Sequence, residues 1–436
     1  MIMQNKRNLI NQSTIIFCLL SIVILLDANA QGDGYLMKDG KRLFPVGSYF
    51  LPKEDATLKE MVNAGFNLFQ CHSKADLDRV QKAGVQGWVA IPLNEGDSPR
   101  LKELVKSVAG HPALAVWEGP DELVWGFTAY SGLFREKKVH KVPGEWFTLT
   151  PEALRYAREQ SAIVMPKVAK AVEYVRSVDP NNLQVWINET GTSDMAYVWQ
   201  YMDVIDITGC DLYPIRNPLT EGSVKPRKQM QNIGKDAGRW ATVTGQGKPV
   251  WLVLQAFSWH ELGVLEDKYK NRPVAYASFE ESRYMAYDVI AHGTNGILYW
   301  EMRFLTSEPF RQSLYALARE FNALQPLLST EPKPISVSTH LPLQDANHRV
   351  VGTARQFGRD WMVALVNESD TTQHAAVVSG LDLLNGQKLV ELYGEEETTV
   401  KDGSFVARLK PFEVKVFATS RKWEVADRKG RDYRGL

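Results

Sequence analysis

Cysteine is scarce in this chain, with three in 436 residues. One of them, Cys18, lies in an apolar leader described below, which leaves Cys71 and Cys210. These two fall on the second and sixth predicted strands, on opposite sides of a closed eight-strand barrel. A disulfide cannot span that distance, so both are expected as buried free thiols. Histidine is sparse as well, with eight residues, and none stands in an H-E-x-x-H or comparable ligand spacing. No catalytic metal is expected on that basis, and no cofactor is implied. An excess of one charge sign is also missing: 51 Lys and Arg face 51 Asp and Glu. Neither nucleic acid nor an acidic membrane surface is therefore an implied partner.

What is present is an ordinary globular composition, 44% hydrophobic and 23% charged, in a chain long enough for a large domain and a smaller one. Twelve Trp and sixteen Tyr supply rings that can fill a core or stack on sugar faces. Residues 1–30 read as a signal peptide. Lys6 and Arg7 give a basic start, Ile15 to Leu26 is almost unbroken apolar sequence, and Ala28-Asn-Ala30 fits a small-residue cleavage site. The apolar run is short for a membrane span, and no Cys follows it to carry a lipid. The mature chain is expected to begin near Gln31, to be exported to the periplasm or the medium, and to have no membrane span.

From Phe44 onward the sequence repeats one rhythm: an apolar strand, a turn, an amphipathic helix. Predicted strands are Phe44–Phe50, Phe66–His72, Val85–Pro92, Ala113–Trp117, Leu183–Asn188, Val204–Leu212, Pro249–Phe257 and Gly296–Trp300. Helical patterns cover Thr57–Ala64, Ala75–Ala83, Pro99–Ala109, Pro151–Val178, Asp194–Met202, Pro226–Thr244, Phe279–His292 and Phe310–Leu324. Continuous apolar strands alternating with helices imply a parallel sheet covered by helices. Eight units over about 260 residues match a (β/α)8 TIM barrel. An open doubly wound sheet would show a Gly-rich phosphate turn after its first strand, and Gly47-Ser-Tyr-Phe50 has none. The barrel domain is assigned to residues 31–330. Pro332, Pro334 and Pro342 mark a linker. Short alternating strands between Arg349 and Ala418 then predict a small antiparallel β-sandwich over 331–420. Residues 421–436 read as a charged, poorly ordered tail.

The chain is organised around His111-Pro-Ala-Leu-Ala-Val-Trp-Glu-Gly-Pro-Asp-Glu122. An apolar strand runs out into a turn holding Glu118, Asp121 and Glu122. Crowded, half-buried carboxyls raise one another's pKa, and a protonated carboxyl beside an ionised one suits acid/base chemistry on an unactivated acetal. In a barrel the chemistry sits at the carboxyl ends of the strands. Polar groups occupy those ends: Gln70 and His72, Asn94 and Glu95, Asn188 and Glu189, Asp211 and Tyr213, Gln255, and Glu301 and Arg303. Each alone reads equally well as a cap or a salt-bridge partner; together they predict a functional cleft. The long segment Leu123–Thr150, rich in aromatic residues and with a basic patch at Arg135 to Lys138, reads as a lid over it.

Residues 34–420 resemble a glycoside hydrolase of the large retaining barrel group, many of whose families carry a C-terminal β-sandwich. The motifs that carry the resemblance are Phe44-Pro-Val-Gly-Ser48, Trp117 to Glu122, Asp211-Leu-Tyr-Pro214 and Gly293-Thr-Asn-Gly-Ile-Leu-Tyr-Trp300. The group's strand-four motif is Asn-Glu-Pro, with the Glu as acid/base; here Asp121-Glu122-Leu123 keeps the Glu and replaces the Asn. The resemblance implies Glu122 as the general acid and an oligo- or polysaccharide as the partner. It also implies a nucleophilic Glu at the end of strand seven, where this chain has Gln255, and an amide cannot form a glycosyl ester.

A second carboxylate must then come from elsewhere. Glu301 is the first candidate, Glu189 the second and Asp211 the third. Carboxyls about 5 Å apart would imply retention, and a gap of about 6.5–9.5 Å would imply inversion. The Asp121-Glu122 pair also resembles hexosaminidases, where the Asp orients the substrate's own acetamido group and no strand-seven nucleophile is needed. Asp121 is thus expected to tune Glu122 or touch the sugar. Glu118, Glu189, Asp211, Tyr213, Gln255 and Arg303 are candidate substrate contacts, with Trp259 and Trp300 as stacking platforms. Two other readings stay open: a carbohydrate-binding protein on a decayed barrel, favoured by the missing strand-seven carboxylate, and a polysaccharide lyase using Tyr213 and Arg303.

Overall fold

The computed structural model describes residues 34–218, 228–243, 248–339 and 349–426. The leader at 1–30 lies outside the described residues. Eight strands close into a parallel barrel: β1 (Val46–Ser48), β2 (Leu68–Cys71), β3 (Gln86–Ala90), β4 (Leu114–Glu118), β5 (Gln184–Thr190), β6 (Ile207–Leu212), β7 (Val250–Gln255) and β8 (Gly296–Trp300). Neighbours in sequence are neighbours in the barrel, and β8 pairs with β1 to close it. The (β/α)8 expectation is met, with strand ends one to three residues inside the predicted ones at most positions.

The helices start where short polar residues cap them. Ser73, Ser98, Thr150, Ser278 and Ser307 each accept the backbone N–H three residues on. In the Ser98 and Thr150 cases a proline supplies the first turn, where its missing N–H costs nothing. The predicted helix over Asp194–Met202 is one turn, Met195–Val198. The Pro226–Thr244 pattern is a 3-10 turn at Lys228–Gln231 followed by a helix over Asn232–Val243, and its ends fall outside the described residues.

Side chains alternate across each barrel strand. Leu68, Trp88, Val116, Trp186, Ile207, Trp251, Val253 and Leu298 fill the barrel interior, with the Trp186 and Trp251 rings 5.4 Å apart. Residues of the opposite parity, such as Val185 and Ile187, join the larger core between strands and helices. Both cysteines are free and buried.

The C-terminal domain is the expected antiparallel sandwich. One sheet pairs Ser336–Thr339, His374–Ser379 and Ser404–Leu409. The other orders Val350–Phe357, Asp360–Asn367, Val414–Ala418, Lys388–Glu391 and Glu397–Thr399. The strands at 336–339 and 397–399 were not anticipated. Both are short polar edge strands, which carry little hydrophobic signal. The sandwich is fastened to the barrel by Arg283, which pairs with Glu320 and donates to Val414 O, and by Tyr284 against Phe412. The reading of 421–436 as a loose tail is corrected for its first residues: Trp423 is buried, Arg421 pairs with Glu424, and Glu424 accepts the Tyr393 N–H. Trp423 gives this segment an apolar anchor that its charges conceal. Among the described residues no helix is long and apolar enough to cross a membrane.

Candidate active site

A cavity of about 940 Å³ opens at the carboxyl ends of the strands. Its wall carries Asp121 and Glu122 from the turn after β4, Asn188 from β5, Asp211 from β6 with Tyr213 just past its end, and Trp300 from β8. Tyr49, Trp125, Tyr130, Arg216 and Trp259 complete much of the rim. Tyr213 stacks on Trp300, with centroids 5.3 Å apart and 23° between the planes, and Phe257 meets both edge-on. Trp259 continues this aromatic wall, with the Arg216 guanidinium 5.6 Å over its ring.

The turn after β4 is held by β5. Gly119 N donates to Trp186 O at 2.7 Å. A Cβ at Gly119 would stand 2.6 Å from Ile187, so only glycine permits this approach. Asn188 then clamps the two carboxyl residues: its Nδ2 donates to Asp121 Oδ1 at 2.9 Å, and its carbonyl accepts the Glu122 N–H at 2.9 Å. Glu122 sits in the left-handed region at φ 50, ψ 44. That conformation costs a non-glycine residue about 1 kcal/mol or more and is characteristic of functional sites. Burial, with the charges of Asp121 and Glu189 beside it, pushes the Glu122 pKa up to about 8. The Asp121 pKa is raised as well, by its position deep in the cleft, although its side chain is exposed to the cavity. Asp211 is held well above the usual carboxylate range by burial and by the nearby charges of Glu122 and Asp121. Three mutually interacting carboxyls therefore share one cavity floor, and the raised pKa of Glu122 favours its protonated form at neutral pH.

Six of the sequence candidates thus meet on the wall: Asp121, Glu122, Asp211, Tyr213, Trp259 and Trp300. Five do not, and each absence has a physical reason. Glu118 is 1% exposed and lies beneath the floor. It accepts from Tyr49 Oη at 2.6 Å, Trp88 Nε1 at 2.9 Å and Gln70 Nε2 at 3.0 Å, and its burial keeps it out of reach of a sugar in the cavity. Its pKa is raised to about 7, chiefly by burial. Gln255 is sealed too: its amide exchanges two bonds with the Ile215 backbone and donates a third to Phe257 O. Neither a sugar hydroxyl nor a water finds a free atom on it.

Glu301, the first choice for the second carboxylate, is corrected. Both its oxygens are taken by Arg303, at 3.1 and 3.0 Å, and neither residue is on the cavity wall. Glu301→Gln is expected to change kcat/KM less than about threefold, since the pair acts away from the site and is half-exposed on the Arg303 side; a steady-state assay on the best substrate checks this.

Glu189, the second choice, has the parity of Val185 and Ile187 and points into the helix layer. It accepts from Val124 N at 2.9 Å, Ser193 Oγ at 2.7 Å and, more weakly, Trp125 N at 3.4 Å. It therefore fixes the short helix Leu123–Phe127 that begins at Glu122. Glu189→Ala leaves these buried donors unpaired, at about 1–3 kcal/mol each. The expected result is a lower melting temperature together with a drop in kcat/KM, read by thermal denaturation and kinetics on the same preparation.

The expected lid is folded rather than irregular. Leu123–Phe127 and Gly132–Arg135 are helical, Pro143–Thr148 is a 3-10 segment, and Trp146 is buried. Trp125, Tyr130 and Pro143 from this segment line the cavity. Sequence reasoning passed over Tyr49, Arg216 and Asp236. For Tyr49 a signal existed: it has the parity of Gly47, one step past the end of β1. Arg216 and Asp236 arrive from a loop and a helix, with no strand parity to read. The wall carries no His or Cys among the described residues.

No family model matches the chain, and no curated protein matches it. Solved structures do match. A candidate alpha-galactosidase/melibiase from Bacteroides fragilis aligns at TM-score 0.50 and 10% identity, over 86% of this chain and 79% of that one. The likeness is one of fold. An alpha-amylase from Geobacillus thermoleovorans, solved with acarbose, aligns at TM-score 0.46 and 11% identity, over 84% and 90% of the two chains. A beta-galactosidase from the psychrophilic Marinomonas ef1 aligns at TM-score 0.42 and 13% identity, over 64% of this chain; the chain spans 60% of that enzyme's length. The structures that this barrel resembles are those of glycosidases.

Proposed function

We propose that the protein is an exported glycoside hydrolase that cleaves an oligo- or polysaccharide, with Glu122 as general acid. One observation carries the reading. A carboxyl with its pKa raised to about 8 stands beside two further carboxyls on the floor of a cavity walled by aromatic rings. At neutral pH Glu122 holds the proton that a departing sugar oxygen needs as its bond to the anomeric carbon breaks. The rings of Trp300, Tyr213 and Trp259 offer flat faces to a pyranose. Asp211 is the partner carboxyl: of the three sequence candidates it is the one on the wall, and its charge interacts with Glu122, while Glu301 and Glu189 are engaged elsewhere. It acts either on the anomeric carbon directly or as base towards a water that attacks it. In the second case the water's proton passes to Asp211 and its oxygen bonds to the anomeric carbon.

A second reading is favoured by the fixed position of Asp121. Asn188 pins this carboxylate next to Glu122, and β7 and β8 bring no carboxylate to the wall. Here the carbonyl oxygen of a substrate 2-acetamido group attacks the anomeric carbon, and Asp121 accepts the amide N–H. The experiment is a panel of aryl glycosides and oligosaccharides, with and without 2-acetamido groups, followed by released sugar and by the anomeric form of the first product. Turnover confined to 2-acetamido sugars and lost in Asp121→Asn selects the second reading. Turnover of plain hexosides lost in Asp211→Asn selects the first. Retained sugar binding without turnover across the panel would instead point to a binding protein.

A further inference from the structure

The seam between barrel and sandwich holds a second cluster, remote from the cavity. Asp288 and His292 stand four residues apart at the end of the helix Phe279–Ala291, on one helical face. Glu368 reaches them from the sandwich, directly after the strand Asp360–Asn367. His292 Nε2 lies 2.6 Å from Glu368 Oε1 and 3.8 Å from Asp288 Oδ1. One donor atom from each of the three residues falls within 4.8 Å of the others.

One observation asks for a ligand there. The Asp288 side chain is fully buried, and neither of its oxygens closes a hydrogen bond of good geometry among the described residues; the Tyr284 hydroxyl and the Gly234 N–H face it without reaching that geometry. A buried carboxylate in that state is costly unless a proton or a cation compensates it. The donors converge over a glycine. A Cβ on Gly234 would lie 2.3 Å from Glu368 Oε1, 2.5 Å from His292 Nε2 and 2.8 Å from Asp288 Oδ2. A side chain at this position would collide with all three donors, so glycine is what lets the helix Asn232–Val243 pass over them.

We propose that Asp288, His292 and Glu368 bind one divalent transition-metal ion of the zinc type, which ties the barrel to the sandwich. Metal–ligand bonds of about 2.0–2.2 Å in a tetrahedral set place neighbouring donors about 3.3 Å apart. The observed 2.6 and 3.8 Å separations bracket that spacing, so small side-chain shifts complete the set. One imidazole and two carboxylates suit zinc or manganese better than calcium, which takes more oxygens. Arg349 holds the outer oxygen of Glu368 at 2.7 Å and leaves Oε1 to face the ion. The fourth position falls to water, as is usual where a site has three protein ligands. Metal uptake releases whatever proton the imidazole or Asp288 carried.

The test uses the full-length mature protein, stripped with a chelator and titrated with Co²⁺ and, separately, with Zn²⁺. The expected result is saturable uptake of one ion per chain, a cobalt visible band of low-coordinate character, and a melting temperature that rises with free Zn²⁺. Asp288→Asn, which keeps the side-chain shape, and Glu368→Gln should abolish uptake. A folded wild-type protein that takes up neither ion stoichiometrically overturns the proposal and assigns the cluster to a protonated imidazole between carboxylates. Uptake that persists in both variants also overturns it. Should the variants fail to fold, the wild-type titration decides alone. None of these readouts depends on the activity of the cavity.

Discussion

Glu122→Gln is expected to lower hydrolysis of substrates with poor leaving groups by about 10²–10⁴-fold, the range that a positioned general acid contributes. The amide keeps the size of the side chain but carries no transferable proton. Substrates whose leaving group departs without protonation, such as dinitrophenyl glycosides, should lose far less, because the acid is not needed for their bond cleavage. The gap between the two classes is the signature of the acid, and it separates lost protonation from lost binding. The fold should be unaffected. The Glu122 backbone, through its N–H to Asn188 O, sets the turn, and Gln tolerates the left-handed conformation about as well as Glu does. Kinetics on matched aryl glycosides and natural oligosaccharides make the measurement. An equal loss on both classes would sink the assignment.

The pH profile is the second large effect. The Glu122 pKa is raised to about 8 by burial first and by the neighbouring charges of Asp121 and Glu189 after it. The acid must hold its proton in the free enzyme, so kcat/KM is expected to fall tenfold per pH unit above about 8. By pH 10 the loss approaches a hundredfold. The sign for the variant follows from the cause. A negative charge on Asp121 makes ionising Glu122 harder, so Asp121→Asn removes that resistance and moves the limb to lower pH. Burial remains, and the limb stays above the usual carboxylate range. Profiles of kcat/KM for the two proteins, taken on a substrate with a poor leaving group, make the comparison. A limb that does not move would mean that some other group titrates there. The three coupled carboxyls lose protons as a set, so the limb reports the cluster and the variant reports the share of Asp121.

The two effects share a structural origin. The strand-four turn is not self-supporting. Asn188 and Glu189, adjacent on β5, serve it from opposite faces of the barrel: Asn188 from the inside clamps Asp121 and Glu122, and Glu189 from the outside holds the helix that follows. Together they hold Glu122 in a strained conformation on the cavity floor, half-buried beside other carboxyls, where a neutral carboxyl is favoured near neutral pH.

The sequence by itself determined the barrel, the sandwich and the end of the barrel at which the cavity opens. Continuous apolar strands alternating with capped amphipathic helices require a parallel sheet covered on both faces, and eight such units without a Gly-rich phosphate turn fit the closed barrel in which β8 meets β1. The ranking of Glu189 above Asp211 did not use strand parity; in the folded barrel Asp211 lines the cavity, whereas Glu189 faces the helices. Tertiary structure alone decided which polar strand ends are free. Gln255 is consumed by the backbone of Ile215, 40 residues away, and Glu118 by donors from β1, β2 and β3. Glu301 is taken up by Arg303, two residues on. A hydrogen-bond acceptor looks the same in sequence whether its partner is a sugar or another part of the chain. Only the positions of distant donors, which no local pattern encodes, distinguish the two and leave Glu122, Asp121 and Asp211 facing the cavity.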